Sequence, residues 1–143
     1  MTPTTALILA AGGSRRLGRP KQLVDWRGAP LLQRIVDMVG EWPVDGAAVV
    51  LGAHEEAILA AVDFGEALVV VNPEWEEGLA SSLRVGLDAV ARDGRMERAF
   101  MVLGDQPGIP AEIPGGLIEA MDRSGRPAAV PKYRYQRGNP VLV

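Results

Sequence analysis

The 143-residue chain contains no cysteine, which removes disulfides, thiol nucleophiles and thiolate-ligated metal centres together. Lysine is nearly as scarce, occurring only at Lys21 and Lys132, and His54 is the single histidine. No apolar run approaches the roughly eighteen residues of a membrane-crossing helix. The apolar start "MTPTTALILAAGG" lacks a basic region ahead of it and is too short for a signal peptide. These absences lead to an expectation of a cytoplasmic protein with no membrane partner. The formal net charge is −3, and no sustained basic stripe is present to neutralise a nucleic-acid backbone, so a nucleic-acid partner is not expected. With 48% hydrophobic and 23% charged residues, what remains is the composition of one globular domain of ordinary size.

Short apolar runs alternate with segments of helical period. "ALILA" (6–10), "AAVVL" (47–51), "ALVVV" (67–71) and "AFMVL" (99–103) are continuous and bounded by Gly, Asn or Asp, the pattern of strands buried on both faces of a parallel sheet. Between and after them lie helix candidates at 30–39, 54–62, 81–92 and 114–123. The first places Leu31, Leu32, Ile35 and Val39 on one face with Pro30 in its first turn. The third carries Leu83, Leu87 and Val90 at helical spacing, with Ser81 expected as its cap. Repeated strand–helix units of this kind give right-handed crossovers and a doubly wound α/β fold in three layers. The last stretch, "PAAVPKYRYQRGNPVLV", has prolines around short β-prone pieces, which predicts edge or antiparallel strands joined by a turn at Gly138–Asn139.

Positive charge gathers in one place. Arg15, Arg16, Arg19 and Lys21 share a glycine-bearing loop directly after the first strand. Strand, glycine-rich loop, then helix is an arrangement that binds phosphate through backbone N–H groups. Two familiar motifs fail here. Gly13 and Gly18 have the spacing of a P-loop, but Arg19 and Pro20 follow where Lys and Ser/Thr are needed; Gly12, Gly13 and Gly18 do not fit G-x-G-x-x-G. Residues 9–21 do match L-A-A-G-x-S-x-R-x-G-x-x-K, which resembles the signature of nucleotidyltransferases that activate sugars and cofactors with nucleoside triphosphates. In that setting Leu9, Ala10, Ala11, Gly12, Gly13, Ser14 and Arg15 form the nucleotide loop. Gly12 and Gly13 let the backbone close on phosphate oxygens, while Arg16 and Lys21 bring charge to the α-phosphate and the leaving pyrophosphate.

"VLGDQPGI" (102–109) ends the fourth strand on Asp105. By itself this is an aspartate capping a turn before Pro107. In an open α/β sheet, however, ligands sit beyond the carboxyl ends of the strands where their order reverses. With a strand order of 3-2-1-4, Asp105 comes to face Lys21 across a bound triphosphate and suits Mg²⁺, which takes one or two carboxylates plus substrate phosphates. "NPEWEEGLASSLRVGL" (72–87) reads structurally as an Asn-Pro turn, a packed Trp and a Ser-capped helix. Its W-x-x-G-x-x-x-S-L, together with G-D-Q-P and "RGNPVLV" (137–143), resembles the molybdenum cofactor cytidylyltransferase family of MobA-like NTP transferases, from residue 6 to the end.

The resemblance implies a Rossmann-like three-layer α/β/α sandwich of the nucleotide-diphospho-sugar transferase type, its mostly parallel sheet carrying an antiparallel C-terminal part. It also implies a reaction: the terminal phosphate of molybdopterin attacks the α-phosphate of CTP and expels pyrophosphate, with Mg²⁺ as cofactor. Gly78 and Ser82 would lie beside the nucleotide, Asp105 at the metal and Asn139 towards the pterin cofactor; a recipient molybdenum enzyme would be a further partner. L-A-A-G in the first loop is similar to the cytidylyl-transferring members, so Ala11 points to CTP. A phosphate nucleophile is already ionised, so positioning and charge neutralisation suffice without a general base. His54 is read as structural, Glu55, Glu56, Glu76 and Glu77 as solvated faces, and the tyrosines at 133 and 135 as strand packing or as flanks of a pterin ring. Family members continue past the G-[HN]-P segment, which makes residues 1–143 one nucleotidyltransferase domain expected to lack its C-terminal elements. Guanylyl transfer to the same cofactor, transfer to another phosphorylated metabolite, and a non-catalytic nucleotide- or cofactor-binding module remain open alternatives.

Overall fold

A computed structural model describes residues 2–13, 19–92, 94, 96–133 and 136–143, with Gln136 described in its backbone. Strand β1 (Thr4–Ala10) lies at the centre and all seven of its residues are buried. Two short strands, β2 (Asp25–Trp26) and β3 (Ala29–Pro30), pair with each other and lead into α1 (Leu31–Gly40). Then follow β4 (Gly46–Leu51), α2 (Glu55–Ala61), β5 (Leu68–Val71), α3 (Leu79–Arg92), β6 (Arg98–Leu103) and α4 (Ile113–Ser124). A ribbon of β7 (Lys132–Tyr133) and β8 (Gln136–Arg137) precedes β9 (Val141–Leu142).

The main sheet runs β5-β4-β1-β6-β9. Its four longer strands are parallel and stand in the expected 3-2-1-4 order, with β9 antiparallel on the β6 edge. Side-chain alternation along β1 sorts the core into two layers. Ala6, Ile8 and Ala10 pack with Leu32, Ile35 and Val39 of α1, Ile58 of α2, and Leu117 and Met121 of α4. Leu7 and Leu9 face the other way, into a smaller cluster with Val50 and Val90 beneath α3. This three-layer α/β fold puts the ends of β1 and β6 side by side, Leu9 opposite Leu103.

Three details depart from the sequence reading. The run at 67–71 is not buried throughout: Leu68 is 46% and Val71 38% exposed, because β5 is an edge strand. Leu87 is 36% exposed. The buried stripe of α3 is Ser82, Gly86 and Val90, at i, i+4, i+8, because the helix backbone sits directly on the sheet. A Cβ at Gly86 would come within 2.6 Å of Leu7 Cδ1. Ser81 lies inside α3, not ahead of it. Its hydroxyl accepts from Asn72 Nδ2 at 3.0 Å instead of capping the helix. The C-terminal stretch does form antiparallel and edge strands, β7 with β8 and β9 on β6, and Gly138–Asn139 joins β8 to β9 through a cis Asn139–Pro140 bond.

Candidate functional site

A cleft of about 410 Å³ opens at the carboxyl ends of β1 and β6. Leu9, Ala10, Ala11 and Gly12 form its floor, with Lys21 and Gln22 beside them. Trp75, Gly78, Leu79 and Ser82 make one wall, and Leu103, Gly104 and Asp105 the other. Residues from three separate motifs thus meet at the point where the parallel strand order reverses. Ser14, Arg15 and Arg16 lie outside the described residues.

The loop after β1 is held by its carbonyl groups. Leu9 O accepts from the Gly104 amide at 2.9 Å and Ala11 O from the Ala53 amide at 3.2 Å. The Gln22 side chain donates through Nε2 to Ala10 O at 2.8 Å and Gly12 O at 3.2 Å. His54 Nε2 lies 3.1 Å from Gly13 O, a distance at which a proton on Nε2 is donated to that carbonyl. Every carbonyl from residue 9 to residue 13 is therefore engaged. The amide N–H groups of Gly12 and Gly13 have no acceptor among the described residues. A turn whose carbonyls are tied back and whose amides are left over can serve as a nest for an anion.

Packing explains why glycine stands at two of these positions. A Cβ at Gly13 would lie 2.7 Å from Trp75 Cζ3, because the indole rests on the loop backbone. A Cβ at Gly104 would lie 2.7 Å from Leu9 O and 2.9 Å from Ala10 Cβ, so the ends of β1 and β6 approach as closely as two backbones can. Buried next to Ser82, Asn72, 1% exposed, accepts the Glu74 amide at 2.9 Å through Oδ1. Its Nδ2 donates to Ser81 Oγ at 3.0 Å and Ser82 Oγ at 3.1 Å. With that acceptance made, the Ser82 hydroxyl proton is left to donate, and Ser82 lines the cleft. Gly78 precedes α3 with φ +105°, a conformation L side chains rarely adopt.

Lys21 Nζ lies 3.5 Å from Asp105 Oδ2, both side chains about half exposed. The two residues meet directly, not at the width of a phosphate apart. An exposed pair of this length is worth about 0–1 kcal/mol, so it yields readily to a ligand. Asn139 lies apart from this cleft, in a neighbouring cavity of about 380 Å³ that includes Gln106, Tyr133 and Arg137. Tyr133 donates its hydroxyl to Asn139 O at 2.9 Å, and a Cβ at Gly138 would meet its ring at 2.5 Å. Burial, followed by the Glu112 carboxylate, pushes the Tyr133 hydroxyl above its ordinary pKa. Tyr133 thus packs on Gly138 and, 38% exposed, also lines the cavity that holds Asn139; Tyr135 lies outside the described residues. Sequence reasoning missed Gln22 and gave His54 no connection to the loop, because both act on backbone carbonyls that no motif spells out.

Residues 6–143 match the MobA-like NTP transferase domain. The chain belongs to that family. It is 31% identical over 149 residues to the nicotine blue oxidoreductase of Paenarthrobacter nicotinovorans, covering 97% of this chain and 70% of that protein. It is 28% identical over 129 residues to a probable molybdenum cofactor guanylyltransferase of Pyrococcus horikoshii, covering 90% of this chain and 62% of the relative. Among solved structures, Rv0371c of Mycobacterium tuberculosis H37Rv superposes with a TM-score of 0.88 at 33% identity, covering 99% of this chain and 71% of that one. A manganese complex of Rv0371C superposes with a TM-score of 0.83.

Nucleotidyltransferases of this kind use a divalent metal. Among the described residues no group of three or more His, Cys, Asp or Glu side chains is placed to hold a metal ion, and the cleft offers the lone half-exposed carboxylate of Asp105. Such a donor set fits a magnesium- or manganese-like ion that takes most of its oxygen ligands from triphosphate and water. Among the described residues no helix is long and apolar enough to cross a membrane.

Proposed function

We propose that this protein is a cytoplasmic cytidylyltransferase that acts, as one nucleotidyltransferase domain, on a molybdopterin-type cofactor. CTP is the donor, the terminal phosphate of the pterin cofactor the acceptor, and pyrophosphate the product. One observation carries the reading. The engaged carbonyls of residues 9–13 leave the amides of Gly12 and Gly13 to an anion, at the reversal of a parallel sheet, in a chain of the MobA-like NTP transferase family.

The amides of Gly12 and Gly13 bind oxygens of the triphosphate, aided by Ser14, Arg15 and Arg16. Lys21 leaves Asp105 to contact the α-phosphate, placing positive charge where negative charge grows in the transition state. An acceptor phosphate oxygen then forms a bond to the α-phosphorus as the bond to the bridging oxygen of pyrophosphate breaks, and the bond's electron pair departs with pyrophosphate. No proton has to move, because the nucleophile is already ionised. Asp105 would hold Mg²⁺, which supplies charge neutralisation of the triphosphate when bound. Gly78 and Ser82 position the nucleoside, and Asn139, in the adjoining cavity, faces the acceptor.

Base choice rests on Ala11 within L-A-A-G. The assay is pyrophosphate release from each of four nucleoside triphosphates with molybdopterin and magnesium present. Release from CTP supports the proposal, and release from GTP alone replaces cytidylyl by guanylyl transfer. Tight CTP binding without release makes the chain a binding module for a molybdenum enzyme. The 31% identity to a protein named for oxidoreduction favours a second reading. Redox turnover of an organic substrate, with no pyrophosphate release from any triphosphate, would establish that one instead.

A further inference from the structure

Pro20 is followed by a single 3-10 turn, Lys21–Leu23, in which neighbouring side chains part company. Lys21 is half exposed at the mouth of the cleft, whereas Gln22 is 5% exposed. The two short contacts of Gln22 Nε2, to Ala10 O and Gly12 O, both run to groups that only accept. Its orientation is thereby fixed: the NH₂ must face the loop and Oε1 must face away. Gln22 Oε1 is buried and has no hydrogen-bond partner among the described residues. A buried acceptor left this way costs stability, so the amide is not explained by its oxygen. A methionine would fill the same space without that cost. What methionine cannot do is hold two carbonyls either side of Ala11.

We propose that Gln22 is a positioning residue of the nucleotide site, a neutral donor of two protons that turns the carbonyls of Ala10 and Gly12 away from the bound triphosphate. The inference rests on the nucleotidyltransferase reading of the cleft. Were either carbonyl to swing inward, its lone pairs would oppose phosphate oxygens, and rotation of the Gly12 peptide would also turn the Gly13 amide out of the nest. Few side chains meet the requirement. Asparagine is one methylene too short to span both carbonyls, ionised glutamate brings no proton, and lysine or arginine would bury a charge.

The test titrates wild type, Gln22→Met, Gln22→Glu and Leu117→Ala with CTP and with inorganic pyrophosphate, in magnesium buffers, by calorimetry from about pH 5.5 to 8. Gln22→Met is expected to weaken both ligands about tenfold or more. Leu117→Ala loosens the core from a buried position on α4 and is expected to leave both affinities alone. In Gln22→Glu a carboxylate faces two carbonyl oxygens, and only its protonated form restores a donation. Its affinity relative to wild type should therefore rise as pH falls. The ionisable groups of α1 and α2, which pack on this turn, are Arg34, Asp37, Glu55 and Glu56, with His54 and Lys21 beside the loop; all are shared with wild type and cancel in the ratio. If wild type binds neither ligand, the nucleotidyltransferase reading falls and this inference with it. If wild type binds and Gln22→Met binds as tightly, or the Gln22→Glu ratio is flat with pH, the positioning role alone is overturned. Should Gln22→Met fail to fold, the Gln22→Glu ratio decides.

Discussion

Adding one methyl group at Gly104 tests whether the site depends on the close approach of β1 and β6. An ideal Cβ there would lie 2.7 Å from Leu9 O, 2.9 Å from Ala10 Cβ and 3.1 Å from Ala10 Cα. Ordinary carbon–oxygen approaches are about 3.3 Å or more and carbon–carbon contacts about 3.5–4.0 Å, so the overlap is roughly half an ångström at each atom. The obstacles are backbone and a Cβ, which cannot rotate aside. Leu9 has no room to retreat either, being paired with Val50 of β4 on its other flank and 7% exposed. Relief must come from the Gly104 side, stretching its 2.9 Å amide bond to Leu9 O beyond useful length. That bond is worth about 1 kcal/mol net and the overpacking costs a further 1–3 kcal/mol or so. At about 2–4 °C per kcal/mol for a domain near this size, Gly104→Ala should melt roughly 5–15 °C below wild type. Triphosphate affinity should fall with it, because Asp105 moves relative to Lys21. Gly116→Ala is the control: it lies in α4 with nothing within 4 Å of its would-be Cβ, and should stabilise by about 0.5–1 kcal/mol. A Gly104→Ala protein melting within a degree or two of wild type would refute the claim that this junction is fixed.

Three further outcomes follow from the same structure. Lys21→Ala and Asp105→Ala should each cut pyrophosphate release about a hundredfold or more while leaving the melting temperature nearly unchanged, since both side chains are about half exposed; full activity in Asp105→Ala would remove its metal role. Phe100→Ala, fully buried and edge-on to the Trp42 ring at 5.4 Å, should cost about 3–5 kcal/mol in urea denaturation, and a loss below 1 kcal/mol would show that the layer under α1 and α4 can collapse. In a Tyr135→Phe background, absorbance at alkaline pH should show Tyr133 ionising above its ordinary value of 10.0. Since the folded state raises this pKa, its contribution to stability is fully present below about pH 10 and is lost as pH climbs through the folded value; a midpoint at or below 10.0 would contradict the upward push of partial desolvation and the Glu112 charge.

The four parallel strands were legible because each is a continuous apolar run of the kind a parallel sheet takes up, and the helices because α1 repeats Leu31, Leu32, Ile35 and Val39 on one stripe. Where the sequence misled, the missing information was spatial. Nothing local distinguishes β5, an edge strand with Leu68 and Val71 exposed, from β4 at the interior. Leucine periodicity suggested Leu87 as a contact of α3, whereas the contact is made by Gly86, whose lack of a side chain lets the helix settle on Leu7 and Val50. The pairing of β9 with β6 joins residues some forty positions apart and has no local trace.

The nucleotide loop divides along the same line. Its motif places glycines and cations on one segment, and of the non-loop residues it led to, Gly78, Ser82 and Asp105 do line one cleft with Lys21. Its working parts, however, are backbone groups, and every sequence supplies those. Whether an amide is free for an anion depends on where each carbonyl of residues 9–13 goes, and the answer is spread over Gly104, Gln22, Ala53 and His54. Three of those four tie the loop to segments thirty or more residues away, and the fourth does so across Pro20. A glycine-rich loop copied onto another sheet without them would keep its motif and lose its nest, because the carbonyls would compete with phosphate for the same space.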